Sequence, residues 1–198
     1  SDGDGWADEI DALPLEPTQW IDSDGDSYGD NPNGNKADDC PNESGGSFED
    51  RQGCKDSDND GWSNPDVIWT IDDGADALPD NPTQWSDFDG DGFGDNYGNH
   101  SWTMTRDDSW PGEYVLLALN QDACPLQYGD SSLGEVLGCN DKDGDGWADF
   151  IDAFPDDVNE YLDSDKDGFA DGTDDCRNTG GSSQHDRKGC PDLDGDGW

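Results

Sequence analysis

The chain has 198 residues, 51 of them Asp or Glu against 9 Lys or Arg, for a formal charge of −42, and hydrophobic residues make up only 29%. A chain this polar cannot bury enough apolar surface to offset its ordering entropy, so composition excludes a conventional hydrophobic core and by itself predicts disorder. The charge sign excludes nucleic acid as a partner unless cations bridge, and no apolar run reaches transmembrane length.

The placement of the acids opposes both disorder and a merely solvated acidic surface. Nearly all are Asp, phased every second residue and interleaved with Gly rather than blocked. The clearest stretch runs from Asp141 and reads D-K-D-G-D-G-W-A-D-F-I-D-A-F-P. Counting Asp141 as position 1, carboxylates fall at positions 1, 3, 5, 9 and 12, with glycine at 6. A loop that wraps one Ca²⁺ asks for this pattern: alternate side chains give oxygens, position 7 gives its carbonyl, and the last acid closes the shell. The stretch recurs, which predicts a repeat protein with neighbours touching neighbours.

Cassette one, residues 1–55, opens with Asp2, Asp4, Trp6, Asp8 and Asp11. After D-A-L-P and P-T-Q-W a second loop supplies Asp22, Asp24, Asp26, Tyr28 and Asp30, with Ser27 at position 6. The insert N-P-N-G-N-K-A displaces its closing acid, and alignment on the following cysteine makes Asp38 position 12. Cassette two, residues 56–140, offers Asp56, Asp58, Asp60, Trp62 and Asn64, then an insert before its closing acid Asp76. Its second loop has Asp87, Asp89, Asp91, Phe93 and Asp95, is interrupted by residues 96–121, and resumes at Asp122. Cassette three, residues 141–191, is the most compact: Asp141, Asp143, Asp145, Trp147, Asp149 and Asp152, then Asp163, Asp165, Asp167, Phe169, Asp171 and Asp174. Asp192, Asp194 and Asp196 begin a further cassette over residues 192–198. Both ends fall inside the motif, so the chain reads as a slice, or a mature repeating unit, of a longer array whose export signal lies elsewhere.

Six cysteines fall in pairs, Cys40/Cys54, Cys124/Cys139 and Cys176/Cys190. Similar gaps predict one local disulfide per cassette, with bridging between cassettes (Cys54 to Cys124, Cys139 to Cys176) as the rival. Without C-x-x-C, and with only His100 and His185 to assist, zinc is disfavoured. Paired cysteines predict an oxidising, extracellular setting. Pro14, Pro79 and Pro155 follow the tryptophan-bearing loops, and neither helical nor strand periodicity is sustained. Short helical turns fit A-D-E-I-D-A and A-D-F-I-D-A, while residues 113–119, E-Y-V-L-L-A-L, predict a strand or a small cover. The fold class expected is irregular, with little regular secondary structure: an elongated tandem array of calcium-binding loops stapled by local disulfides.

At D-S-D-G-D-S-Y-G-D…A-D-D-C-P and D-S-D-K-D-G-F-A-D-G-T-D-D-C the chain resembles thrombospondin type 3 repeats, and similar arrays in large surface proteins of bacteria and archaea. The resemblance implies a fold with hardly any helix or sheet, wound around many ions, often two per repeat unit. It also implies that the acids at positions 1, 3, 5, 9 and 12 are ligands. The chain departs from the family in its paired cysteines, in P-T-Q-W at Trp20 and Trp85, in its long inserts, and at Ser27 and Asn64. EF-hands and dockerins share the loop, but the prolines oppose their flanking helices.

No catalytic constellation is legible. The rings of Trp6, Trp62 and Trp147 are expected to pack on prolines of D-A-[LF]-P or on P-T-Q-W, the sharper reading being a row of rings for sugar or a neighbouring chain. Asn42 and Asn99 head glycosylation sequons. The function expected is an extracellular structural segment (stalk, spacer or filament block) that folds with Ca²⁺, about 6 to 14 ions in all. Neighbouring copies and glycans are the partners to consider. The alternatives are an adhesion module that binds carbohydrate or protein through the aromatic insert 96–121, and a calcium store.

Overall fold

Aspartate side chains take the place that helices and sheets hold in other proteins. The computed structural model describes residues 2–98, 106 and 109–198. Among them the regular elements are one 3-10 turn, Ile71–Asp73, and four isolated parallel bridges: Gly29–Ala37, Gly94–Gln121, Tyr97–Tyr114 and Asp122–Leu137. Asp and Asn side chains compete with the backbone for its own N–H groups, and here they win. In the loop from Asp22, one carboxylate oxygen accepts the Gly25 N–H at 2.7 Å and the other the Ser27 N–H at 3.0 Å. Asp56, Asp141, Asp163 and Asp192 do the same for positions 4 and 6 of their own loops. The short turns expected after the tryptophan loops are present: the Asp11 N–H bonds the Ala7 carbonyl, and the Asp152 N–H the Ala148 carbonyl.

The interior is polar. The largest fully buried side chains include Gln19, Gln84, Asn96 and Asp76, while the apolar cluster among the described residues is small: Ala123, Val136, Cys139 and Ala148, with Cys124 against it. The three disulfides are the local ones, Cys40–Cys54, Cys124–Cys139 and Cys176–Cys190, and the rival pairing between cassettes is absent. Each closes a small cap that docks on the next tryptophan loop. The N–H groups of Phe48 and Glu49 both donate to the Gly61 carbonyl, those of Ser132 and Leu133 to Gly146, and those of Gln184 and His185 to Gly197. A Cβ on Gly61 or Gly146 would collide with Phe48 or Leu133, so the glycine at position 6 serves docking as well as the turn.

The chain divides into two compact units. Unit 1 comprises residues 1–88, 94–99 and 111–121, and unit 2 comprises 89–93, 100–110 and 122–198. Docking of each cap on the following loop explains why no division falls at residue 55 or 140. Residues 113–119 pair briefly with Tyr97, through the Tyr97 and Val115 N–H groups, and then turn. Ala118 is buried, while Leu116, Leu117 and Leu119 are exposed. Asn99, His100 and Trp102 lie outside the described residues, so the second sequon and most of the aromatic insert do too. No helix among the described residues is long and apolar enough to cross a membrane.

Candidate metal centres

Within the described residues several loops bring three carboxylates together. In each of the groups Asp2–Asp4–Asp11, Asp22–Asp24–Asp26, Asp56–Asp58–Asp60 and Asp141–Asp143–Asp145, one oxygen per residue lies within 4.8 Å of the others. Position 5 is aimed by its own chain, since one oxygen of Asp4, Asp26, Asp60, Asp145 and Asp167 accepts the N–H two residues on, at 2.8 to 2.9 Å. Among the described residues no N–H donates to the position-7 carbonyls of Trp6, Tyr28, Trp62, Trp147 or Phe169, which leaves them open to a cation.

The closing acid is placed by a shared device. The Asp38 N–H donates to the Gly29 carbonyl and the Asp76 N–H to the Ser63 carbonyl, both at 2.9 Å. Asp11, Asp152 and Asp174 make the same bond to Ala7, Ala148 and Ala170. In all five, one side-chain oxygen then accepts the N–H two residues further on. That leaves the other oxygen to face the loop. In Asp11, Asp38, Asp76 and Asp174, each at least nine-tenths buried, this second oxygen is sealed from solvent with no hydrogen-bond donor. The second oxygens of Asp2, Asp4, Asp58, Asp60 and Asp143, and both oxygens of Asp24 and Asp165, are in the same condition. A buried carboxylate oxygen without a partner is costly, and here such oxygens gather at positions 3, 5 and 12. A hard divalent cation fits this donor set: it needs oxygen ligands, and it reverses the local field.

Position 9 is placed differently. Asp30 accepts the Ser23 N–H and hydroxyl, and Asp171 does the same for Ser164. Asp149 accepts from the Lys142 N–H and the Asn140 amide. Asn64 reproduces the clasp with its carbonyl on the Ser57 N–H and its amide on the Ser57 hydroxyl. Position 9 therefore latches the loop mouth to position 2, and an amide serves there as well as a carboxylate.

The disulfide caps roof the second loops. The Gly45 N–H donates to Asp26 at 3.1 Å and the Gly181 N–H to Asp167 at 2.7 Å, so position 5 is held from both sides. Gly53 and Gly189, at φ 73° and 72°, lie so close to Asp38 and Asp174 that a Cβ would overlap the carboxylates. In unit 2, Gly129 donates to Asp91, and Gly138 packs on Asp122 in the same way. Asp122 also accepts the Cys124 N–H. The remainder of that loop is divided between the units: the Asp95 N–H bonds Ser86 in unit 1, and the Phe93 N–H bonds Asp91 in unit 2. The last loop starts on pattern, with Asp196 accepting the Trp198 N–H.

Charge crowding shows in the acid strengths. Burial, reinforced by neighbouring carboxylates and opposed by one N–H bond, pushes Asp38 and Asp60 up to about 6 and Asp76 up to about 7. Asp24, Asp58, Asp152 and Asp165 are raised from the same leading cause. Asp66, in the first insert of cassette two, is instead lowered to about 2 by the Arg51 guanidinium, 2.7 Å away. It belongs to no acid group described above.

Two of the tryptophan rings pack on P-T-Q-W, and the third packs on the tyrosine at the matching place in cassette three. Trp6 stacks on Trp20 with centroids 6.2 Å apart, Trp62 on Trp85 at 6.1 Å, and Trp147 on Tyr161 at 4.6 Å. What sequence reasoning missed in that motif is the glutamine. Gln19 is fully buried, donates to the Asn31 and Asn35 carbonyls and accepts the Asn31 N–H. Gln84 makes the matching bonds to Asn96 and Leu119. Each glutamine clamps the two ends of an insert, and cassette three, which has no insert there, carries Glu160 instead. The signal was P-T-Q-W occurring only ahead of second loops that have inserts. Compared with known proteins, the chain matches no protein-family description and no curated protein sequence.

Proposed function

We propose that this chain is an extracellular calcium-binding structural segment, of the kind that thrombospondin type 3 repeats represent, whose loops fold around Ca²⁺ and act in tandem as a stiff stalk, spacer or filament block. The observation that carries the proposal is the convergence of sealed, donorless carboxylate oxygens at positions 3, 5 and 12 of successive loops. Like charges about 4 Å apart cost on the order of 4 kcal/mol per pair at an effective dielectric near 20. A disulfide closing a loop of about 15 residues returns only about 3 kcal/mol. Three bridges cannot hold these loops shut against that repulsion, so ion binding and folding are one event.

All-oxygen donors on a flexible loop favour Ca²⁺ over Mg²⁺, which retains its waters and demands octahedral geometry. The three disulfides support a setting outside the reducing cytosol, where calcium sites work at about 10⁻⁴ to 10⁻³ M. Calcium titration of chelator-stripped protein, followed by near-UV circular dichroism and small-angle scattering, tests the reading. An ordered chain that stiffens in step with ion uptake is expected. An unchanged scattering profile after exhaustive chelation sinks it, and uptake with no change of shape points to a calcium store.

A further inference from the structure

Cassette two carries two insertions that loop closure does not require. Asp76 makes the same bond to position 8 that Asp152 makes without an insertion. Both insertions instead meet at one cavity of about 470 Å³ within unit 1, where Ile71 from the first and Gly112 and Glu113 from the second stand around Trp62, Trp85 and Phe88. That volume lies in the range of small-molecule sites. The walls are fixed from within. Asp73 accepts the Thr70 N–H and hydroxyl to hold the turn that carries Ile71. Gly112, at φ 88°, lies against the Asp95 backbone where a Cβ could not fit. The Glu113 N–H donates to the Asn96 side chain, and its carbonyl accepts from Tyr97, both at 2.9 Å. Beside the stacked pair Trp6–Trp20 stands the short insertion N-P-N-G-N-K-A alone, and the compact cassette of Trp147–Tyr161 carries none.

We propose that this cavity binds an alkylammonium group. Three aromatic rings line the cavity, Trp62 and Trp85 stacked on each other beside Phe88, and aromatic rings attract an organic cation. Glu113 is exposed and is one of the lining residues, and a chain of net charge −42 draws cations while repelling anions. The proposal goes beyond the structural role and stands apart from it, since rings and Glu113 bind whether or not the loops stiffen a stalk.

The test follows the tryptophan indole N–H resonances of the protein, with and without calcium, as tetramethylammonium chloride is added against equal sodium chloride. Saturable shifts of Trp62 and Trp85, with Trp6, Trp20 and Trp147 unmoved, are expected. Phe88→Ala, at an exposed ring whose loss leaves the fold intact, weakens binding about tenfold, and Glu113→Gln about threefold. Equal shifts at all five indoles, no saturation, or no effect of Phe88→Ala overturns the proposal. Saturable shifts of Trp62 and Trp85 with methyl glucoside, and none with the ammonium, replace it with a carbohydrate site. A lysine tripeptide amide that binds more tightly than tetramethylammonium assigns the pocket to a protein side chain, and weaker binding assigns it to a free amine.

Discussion

The loops that begin at Asp56 and Asp141 carry the same opening acids but close over different lengths of chain. After position 9 the Asp141 loop reaches its closing acid through Phe150 and Ile151 alone, whereas the Asp56 loop runs from Pro65 to Ala75 first. Both nonetheless finish on one bond, from the closing N–H to the position-8 carbonyl, at 3.0 Å for Asp152 and 2.9 Å for Asp76. Both then turn one carboxylate oxygen onto the N–H two residues ahead. Loop identity therefore resides in a hydrogen-bonded closure rather than in a residue count, and anything anchored at its two ends can be inserted.

The comparison breaks most severely at the clamps. Gln84→Ala strands the buried Asn96 N–H and carbonyl and should cost about 3 kcal/mol in thermal or denaturant unfolding. Glu160→Ala in cassette three, which clamps no insert, should cost almost nothing. Asp76→Ala and Asp152→Ala should each lose about 100-fold in affinity at one calcium site, the upper end of what even a supporting residue costs. Calorimetric titration should find the two equal if closure is indeed the same.

Acidity separates the loops next. An acid whose folded-state pKa lies above its unfolded value of 3.8 holds its proton more tightly when folded, so the ion-free fold loses stability as pH rises from there through about 7 at Asp76. On the proposed reading, protons and Ca²⁺ compete for the same oxygens. Calcium affinity should accordingly fall as pH drops below about 7 at the Asp56 loop, and below about 6 at Asp38. Titrations at three pH values between those limits will show whether the Asp56 loop releases first.

The latch is a smaller effect. Asn64→Ala should cost about 1 kcal/mol, while Asn64→Asp should leave stability and calcium affinity unchanged, because Asp30 and Asp171 already do the same work. The smallest effect expected is the most telling: replacing residues 65–75 with Phe-Ile should leave calcium affinity within about twofold, since closure is conserved. A larger loss would show that the insertion supports the ion site.

The amino-acid sequence by itself determined where the loops begin and which acids open them, and it favoured the local cysteine pairing over its rival, because each rests on short-range spacing: alternate Asp, a glycine at the turn, and a gap short enough for one local bridge. It also located Asp38 and Asp76 across their inserts, through the downstream Cys and the D-A-L-P phrase. Only the tertiary structure decided that position 9 is a latch, that Gln19 and Gln84 clamp inserts, that the G-C glycines roof the second loops, and that two insertions share one cavity. Those features join residues from 7 to 38 positions apart, and a side chain of given polarity reads alike in sequence whether it faces a cation, a backbone N–H or water. In a protein whose interior is polar, hydrophobic patterning is silent about the inside, and the hydrogen-bond geometry alone tells which carboxylate oxygens are left for an ion.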